Sequence, residues 1–288
     1  MDILIKTEIL ISALQNVISV IDKSYTKPIL SNFMIQTLEN EGEQGMVEIS
    51  ATDYELSIIE RIPAQIKTSG SICINAKRVF DITREFRAEE IHIRSTEQLW
   101  VQITCGASEL RLPSVEVGLY PQPKIEELNQ QLKISALDLA QCIDLTLFAS
   151  QTNESRRNLM GVALSMTEDQ RTRWQATDGH RLAQVIQPVE DMNFGDVTEI
   201  ILPRKALMEI RKVCDLMGEM VDITFDERVA QFSGNRIHFK TRLIEGKFPN
   251  CDPIIPKDND LRATIPRENL IHSLRIVSAI STEKLRPV

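Results

Sequence analysis

The chain repeats itself at the length of a domain, and this constrains its fold more than any other feature. Ala51-Thr52-Asp53-Tyr54-Glu55-Leu56 is answered by Ala176-Thr177-Asp178-Gly179-His180-Arg181-Leu182, with the shared Ala-Thr-Asp offset by 125 residues. Neighbouring segments agree. Asn75-Ala76-Lys77-Arg78-Val79-Phe80 matches Leu202-Pro203-Arg204-Lys205-Ala206-Leu207 in pattern at an offset of 127, and each runs on as a helical stretch with a further arginine, Arg84 or Arg211. Tyr120-Pro121 and Phe248-Pro249 match at 128, each with a glycine shortly before it (Gly118, Gly246). Three openings also correspond: Ile5 with Leu10 and Leu14, Ile134 with Leu139 and Ile143, and Ile265 with Leu270 and Leu274, spaced 129 and 131 residues apart. This period is far longer than that of solenoids or propellers and has the size of a domain. The chain therefore reads as two whole domains, 1–127 and 128–258, followed by the opening of a third, 259–288.

Periodicity gives each copy the same elements. A short strand leads into an amphipathic helix, with Leu10, Leu14, Val17, Ile18 and Ile21 at helical spacing in copy one and Leu139, Cys142, Ile143 and Leu147 in copy two. Strands are expected over 33–38, 47–51 and 56–59, with a turn at Glu41-Gly42-Glu43. A second helix is expected over 76–86 and again over 203–217, where Pro203 suits a first helical turn. Alternating strands follow over 91–94 and 100–103, matched by 221–224 and 236–239. The fold class is α+β, with each copy packing two helices on an antiparallel sheet of many short strands.

Other chemistry is largely excluded. Cys73, Cys105, Cys142, Cys214 and Cys251 are scattered, odd in number and without a CxxC pair, which argues against a zinc site and a disulfide framework. His92, His180, His238 and His272 are equally dispersed. There is no phosphate loop, GxGxxG or HExxH, so neither metal nor cofactor is expected. Asp178-Gly179-His180-Arg181 could serve an enzyme as an acid/base cluster, but no second carboxylate–histidine constellation accompanies it. Asp178 reads instead as a turn residue bonding its own backbone. No apolar run approaches the roughly 20 residues of a membrane span, and Met1-Asp2-Ile3-Leu4-Ile5-Lys6 is unlike a signal peptide. A cytoplasmic protein is expected.

The string Ala176–Ala183 resembles the central motif of the bacterial DNA polymerase III beta subunit family, the sliding clamps. Lys27-Pro28-Ile29-Leu30-Ser31-Asn32, Glu245-Gly246-Lys247-Phe248-Pro249 and Ser281-Thr282-Glu283-Lys284 resemble further family segments, in order along the whole chain. The resemblance implies the DNA-clamp fold, three copies of one domain per chain, and two chains joined head to tail in a ring whose hole is lined by helices. It implies a non-enzymatic processivity factor, associated with the nucleoid. Its partners would be double-stranded DNA bound without sequence preference, the DNA polymerase III alpha subunit, the clamp loader and other peptides bearing the clamp motif. A family chain would run about 80 residues further to complete a domain of this length. The family-length protein is expected to be a homodimer, and a chain of 288 residues a monomer with weakened peptide binding. The competing reading within the family is a protein-interaction remnant that does not encircle DNA.

On this resemblance, docking peptides enter a hydrophobic pocket formed by Leu159, Thr177, Gly179, His180, Arg181, Leu182, Pro249, Ile254 and Leu285. Pro253 replaces a basic residue of many relatives, which makes the rim less cationic. Sliding on DNA calls for phosphate-directed contacts. The recurrent cations suit that role: Lys77, Arg78 and Arg84 in copy one, Arg204, Lys205 and Arg211 in copy two. Spacings of seven put members of each set on one helical face. Arg87, Lys212 and Arg275 extend the stripe. Lys23 and Lys27 follow the first helix, and Arg156 and Arg157 occupy the corresponding loop of copy two. Arg157 and Asn158 stand where relatives carry aromatic residues, which leaves an electrostatic role in place of base stacking.

Overall fold

Alternating apolar residues and Thr-Asp turns build the same framework twice. The computed structural model describes residues 1–21, 27–38, 45–153, 156–256 and 258–280. They fall into two compact units, Met1–Phe248 and Pro249–Val288. The first copy comprises β1 (Asp2–Lys6), α1 (Thr7–Ile18), β2 (Asn32–Leu38), β3 (Gly45–Thr52), β4 (Leu56–Thr68), β5 (Ser71–Asn75), α2 (Ala76–Thr83), β6 (Glu90–Thr96), β7 (Trp100–Cys105) and β8 (Ser108–Val115). The second comprises β9 (Gln130–Ser135), α3 (Ala136–Thr146), β10 (Gly161–Met166), β11 (Thr172–Thr177), β12 (Leu182–Gln187), β13 (Glu190–Asn193), β14 (Glu199–Pro203), α4 (Arg204–Val213), β15 (Met220–Phe225), β16 (Val229–Gly234) and β17 (Ile237–Arg242).

The two copies share one topology. In the first, the strands follow the order β1-β6-β7-β8-β5-β2-β3-β4, and β4 returns to pair with β1. In the second, β9-β15-β16-β17 and β14-β10-β11-β12 repeat the two halves of that order. Ile244 N donates to Ile201 O at 3.0 Å, linking the chain after β17 to β14 as the Cys73–Val115 pair links β8 to β5. The one interruption is at Pro188. Where β4 runs unbroken, copy two has β12 and then β13, and β13 pairs with β9 as the far half of β4 pairs with β1. Proline supplies no ladder N–H there.

The copies are joined through their sheets. Leu56–Glu60 of β4 pairs antiparallel with Ile237–Thr241 of β17, producing a 13-stranded sheet among the described residues. Arg61 N donates to Arg236 O at 2.9 Å and Arg242 N to Glu55 O at 2.9 Å, extending the ladder at both ends. Glu60 is fully buried at this seam. Its Oε2 accepts from Asn16 Nδ2 at 3.0 Å, and its Oε1 lies 3.2 Å from Arg236 Nε, an ion pair without hydrogen-bond alignment.

Helix faces fill the core as their spacing requires. Leu10, Ala13, Leu14 and Val17 of α1 are buried, as are Leu139, Ala140, Cys142 and Ile143 of α3. Ser135 caps α3, its Oγ accepting from Asp138 N at 3.0 Å, and Asn75 caps α2 by accepting from Arg78 N at 3.0 Å. Tyr120 and Phe248, the aromatics of the repeated aromatic–proline pair, are both buried; Tyr120 Oη donates to Asn32 O at 3.3 Å.

Several expectations shift. Ile18 is half-buried and Ile21 lies beyond α1. Pro203 ends β14 and stands as N-cap, so α4 starts at Arg204, and it stops at Val213 with a 3-10 turn over Cys214–Leu216. The turn at 41–43 lies outside the described residues. All five cysteines are buried. Burial pushes the Cys73 and Cys142 thiols up to about 12, which leaves them unreactive near neutrality. Among the described residues no His/Cys/Asp/Glu cluster could hold a metal ion, and no helix is long and apolar enough to cross a membrane. In the second unit, α5 (Arg267–Ile280) leaves Leu270, Ile276 and Val277 exposed.

Candidate functional site

The Ala-Thr-Asp repeat is one turn built twice. Thr177 Oγ1 accepts from Gly179 N at 3.1 Å and donates to Arg181 O at 2.7 Å; Thr52 Oγ1 accepts from Tyr54 N at 3.0 Å and donates to Leu56 O at 3.1 Å. Asp178 Oδ1 accepts from His180 N and Arg181 N at 2.9 and 3.1 Å; Asp53 Oδ1 accepts from Glu55 N and Leu56 N at 2.9 and 2.7 Å. The third residue is left-handed in both turns, with φ +92° at Gly179 and +75° at Tyr54. The strand pairs Thr177–Leu182 and Thr52–Ser57 fix a gapless register, so Glu55 stands where His180 stands and Leu56 where Arg181 does. Asp178 is therefore a turn residue. Burial pushes its carboxyl up, but the two backbone N–H groups and Arg181 outweigh that and hold it below the ordinary value.

Around the second turn the expected pocket residues of the first unit converge. Arg181 Nε donates to Asp178 Oδ2 at 3.0 Å and its Nη2 to Phe148 O at 2.8 Å, with the guanidinium carbon 5.5 Å from the Phe148 ring centre. Arg156 Nη1 lies 3.6 Å from where a Cβ on Gly179 would stand. Leu159, tied by its N–H to Arg156 O and by its carbonyl to Gln151 N, is only 3% exposed and so offers almost no surface. Phe148, 54% exposed, is the apolar surface that sequence reasoning missed. No local motif marks it, because its partner Arg181 is 33 residues away. Pro249 and Ile254 belong to the second unit, where Ile254 is 70% exposed. Leu285 lies outside the described residues.

The cations divide by what they bond. Lys77 and Arg78 open α2, are exposed and form no ion pair with another described residue. Arg156 and Arg157 are also exposed. Lys27 Nζ lies 4.5 Å from the Tyr54 ring centre. The other members are occupied. Arg204 Nη1 donates to Leu147 O at 2.6 Å and Ser150 Oγ at 2.8 Å, closing the chain that leaves α3. Lys205 pairs with Asp53 of the first copy's turn. Arg211 Nε donates to both oxygens of Asp144 at 2.9 Å, and that bond raises its pKa further. Arg84 lies 3.3 Å from Glu85 and 3.9 Å from Asp81. Lys23 lies outside the described residues.

Comparison with known proteins places this geometry. Residues 1–126 match the model of the DNA polymerase III beta subunit N-terminal domain, and 133–250 that of its central domain. The chain belongs to the DNA polymerase III beta subunit family, the beta sliding clamps. It is 30% identical over 293 residues to the beta sliding clamp of Caulobacter vibrioides, covering 100% of this chain and 77% of the relative. The Staphylococcus epidermidis clamp is 29% identical, covering 98% and 75%. Among solved structures, the Bacillus subtilis DNA polymerase sliding clamp superposes with a TM-score of 0.90 at 26% identity, covering 99% of this chain and 75% of that one. A Bartonella birtlesii sliding clamp bound to griselimycin gives 0.90 at 29% identity, covering 99% and 76%. The α+β architecture is thus the sliding-clamp fold. Beta sliding clamps are non-enzymatic processivity factors of DNA replication, and membership assigns this chain to that class.

Proposed function

We propose that this protein closes with a second copy into a ring around duplex DNA and tethers the replicative polymerase, the clamp loader and other replication proteins to it. In this reading 1–127 and 128–258 are copies of one domain and 259–288 open a third. One observation carries it: a sheet edge that is covered inside the chain is bare at β8. β8 is the first copy's counterpart of β17, with Cys105–Ser108 matching Gly234–Ile237. Over Ser108–Leu112 its outer edge has no strand partner among the described residues, whereas β4 covers β17 over the matching stretch. Leu110 is accordingly exposed where Phe239 is buried. Bare edges invite strand pairing, and a second copy is the partner that closes a ring.

The duplex is held through phosphates, without base readout, by Lys77, Arg78, Lys27, Arg156 and Arg157. Arg204, Lys205 and Arg211 serve first as helix and junction contacts. Partner peptides dock by an apolar side chain against Phe148 and Leu182, with Arg181 held ready as a donor. The experiment is retention on DNA. A family-length protein carrying these 288 residues, loaded by its clamp loader with ATP, should stay on nicked circular DNA through a high-salt wash and leave once the circle is cut. Equal retention on linear and circular DNA refutes encirclement.

A further inference from the structure

A groove follows the seam between the two copies. It consists of a cleft of about 1160 Å³ and one of about 390 Å³, which run together at Glu55, Val229 and Arg242. The smaller is walled by the first copy's Thr-Asp turn: Thr52, Tyr54, Glu55 and Ser57 stand where Thr177, Gly179, His180 and Leu182 stand in copy two. The larger carries five cations, Arg157, Arg204, Lys205, Arg228 and Arg242, against two carboxylates, Glu55 and Glu245. Lys205 is neutralised by Asp53 and Arg204 is spent on Leu147 O. Arg157, Arg228 and Arg242 are exposed and make no ion pair with another described residue. In a chain of net charge −8, three such arginines around one concave surface are a concentrated anion-attracting field. Met160, Val229 and Ile244 add apolar lining between them.

This combination selects its occupant. A duplex is stiff, with a persistence length of about 150 base pairs, and convex, so it can touch a rim of arginines but cannot reach apolar residues inside a groove. Single-stranded nucleic acid binds through successive aromatic stacking platforms, whereas the larger cleft has no aromatic side chain in its lining and the smaller has only Tyr54, whose ring lies 4.5 Å from Lys27 Nζ. An extended peptide with alternating side chains can direct one set inward and the other to the rim. We propose that the groove between the copies binds an acidic peptide segment of a partner protein, its carboxylates on Arg228 and Arg242 and its apolar side chains against Met160, Val229 and Ile244. In taking a peptide as occupant, this extends the peptide-docking reading of the second copy's turn to a separate site.

The test uses the full chain and a fluorescein-labelled peptide of alternating glutamate and leucine, followed by anisotropy, beside a labelled duplex of random sequence. Arg228→Glu with Arg242→Glu removes two attractions and adds two repulsions; at the worth of exposed charge pairs, peptide affinity should fall about tenfold to thirtyfold. Duplex binding should hold, because neither residue is assigned to DNA. Arg228→Gln with Arg242→Gln should give a smaller, several-fold loss, and stands in should the reversal disturb folding. His180→Ala should leave the probe bound. Failure of the wild-type chain to bind the probe, or unchanged affinity in both double variants, overturns the proposal. So does loss of duplex in place of peptide, which would make the groove a DNA track. Loss of the probe on His180→Ala alone would place it at the second copy's turn, refuting the groove while leaving the docking reading intact.

Discussion

Glu60→Ala should uncouple the two copies at the seam they share. The carboxylate is 0% exposed, accepts from Asn16 Nδ2 at 3.0 Å and faces Arg236 Nε at 3.2 Å. Asn16 lies on α1 of the first copy, and Arg236 in the turn before β17 of the second. A hydrogen bond to a charged group contributes about 1.5–3 kcal/mol. The Arg236 side chain is 35% exposed, so solvent screening limits its pair to about 1 kcal/mol or less. Removing the carboxylate also returns its desolvation cost, which leaves a net loss of about 2–3 kcal/mol. Urea denaturation measures this directly. A double-mutant cycle with Arg236→Ala should give a coupling of about 0.5–1 kcal/mol across the copies. A loss under about 1 kcal/mol for Glu60→Ala, together with no coupling, would refute the seam as described. The pH dependence adds a signature. Burial raises the Glu60 carboxyl above its ordinary 4.5, against the smaller downward pulls of Asn16 and Arg236. The folded chain thus holds this proton more tightly than the unfolded chain. Its stabilising contribution is complete below 4.5 and is lost as pH rises through the raised folded value. Glu60→Gln should abolish that decline.

Further consequences follow from the same geometry. Lys77→Ala with Arg78→Ala should weaken duplex binding equally for all sequences and reduce the slope of log K against log salt by about 2; a sequence-dependent change would contradict phosphate contact. Arg204→Ala should act on stability, lowering it by about 1–2 kcal/mol in a thermal melt through the lost bonds to Leu147 O and Ser150 Oγ. Gly179→Val, at φ +92°, should cost about 1–2 kcal/mol, whereas Tyr54→Gly at the equivalent position should relieve strain and cost less than about 1 kcal/mol. The lowered Asp178 carboxyl contributes stability above its ordinary 3.8 that is lost as pH falls through the folded value. Asp178→Asn should shift the acid unfolding midpoint accordingly, and an unmoved midpoint would contradict the turn network.

The duplication was legible because the parts that repeat are structurally demanding. The Thr and Asp side chains complete a turn with the same four bonds in both copies, and the aromatic before each repeated proline is buried. The helix spacing located the buried face through Val17 and Ile143, since it reports burial of one face, while Ile18, Ile21 and Leu147 are half-buried, the last two beyond the helix ends. Other features had no local signature. β4 continues from the expected 56–59 to Thr68 through Pro63, which is tolerated because the edge facing away from β3 has no strand partner there among the described residues, between the pairing of β17 at Glu60 and that of β1 at Gln65. The cations of copy two looked free, but their partners lie far along the chain: Asp53 is 152 residues from Lys205, Asp144 67 from Arg211, and Leu147 57 from Arg204. Arg228 and Arg242, on a turn and a strand end, join Arg157 only through the fold.

The most direct test of the account is product length in primer extension on a long singly primed circle, with the cognate polymerase, clamp loader and ATP. Adding a family-length protein that carries these 288 residues should shift products from short, distributive lengths to full circles at limiting polymerase. An unchanged length distribution, with polymerase and loader shown to be active, would contradict the assignment of this chain as a processivity clamp.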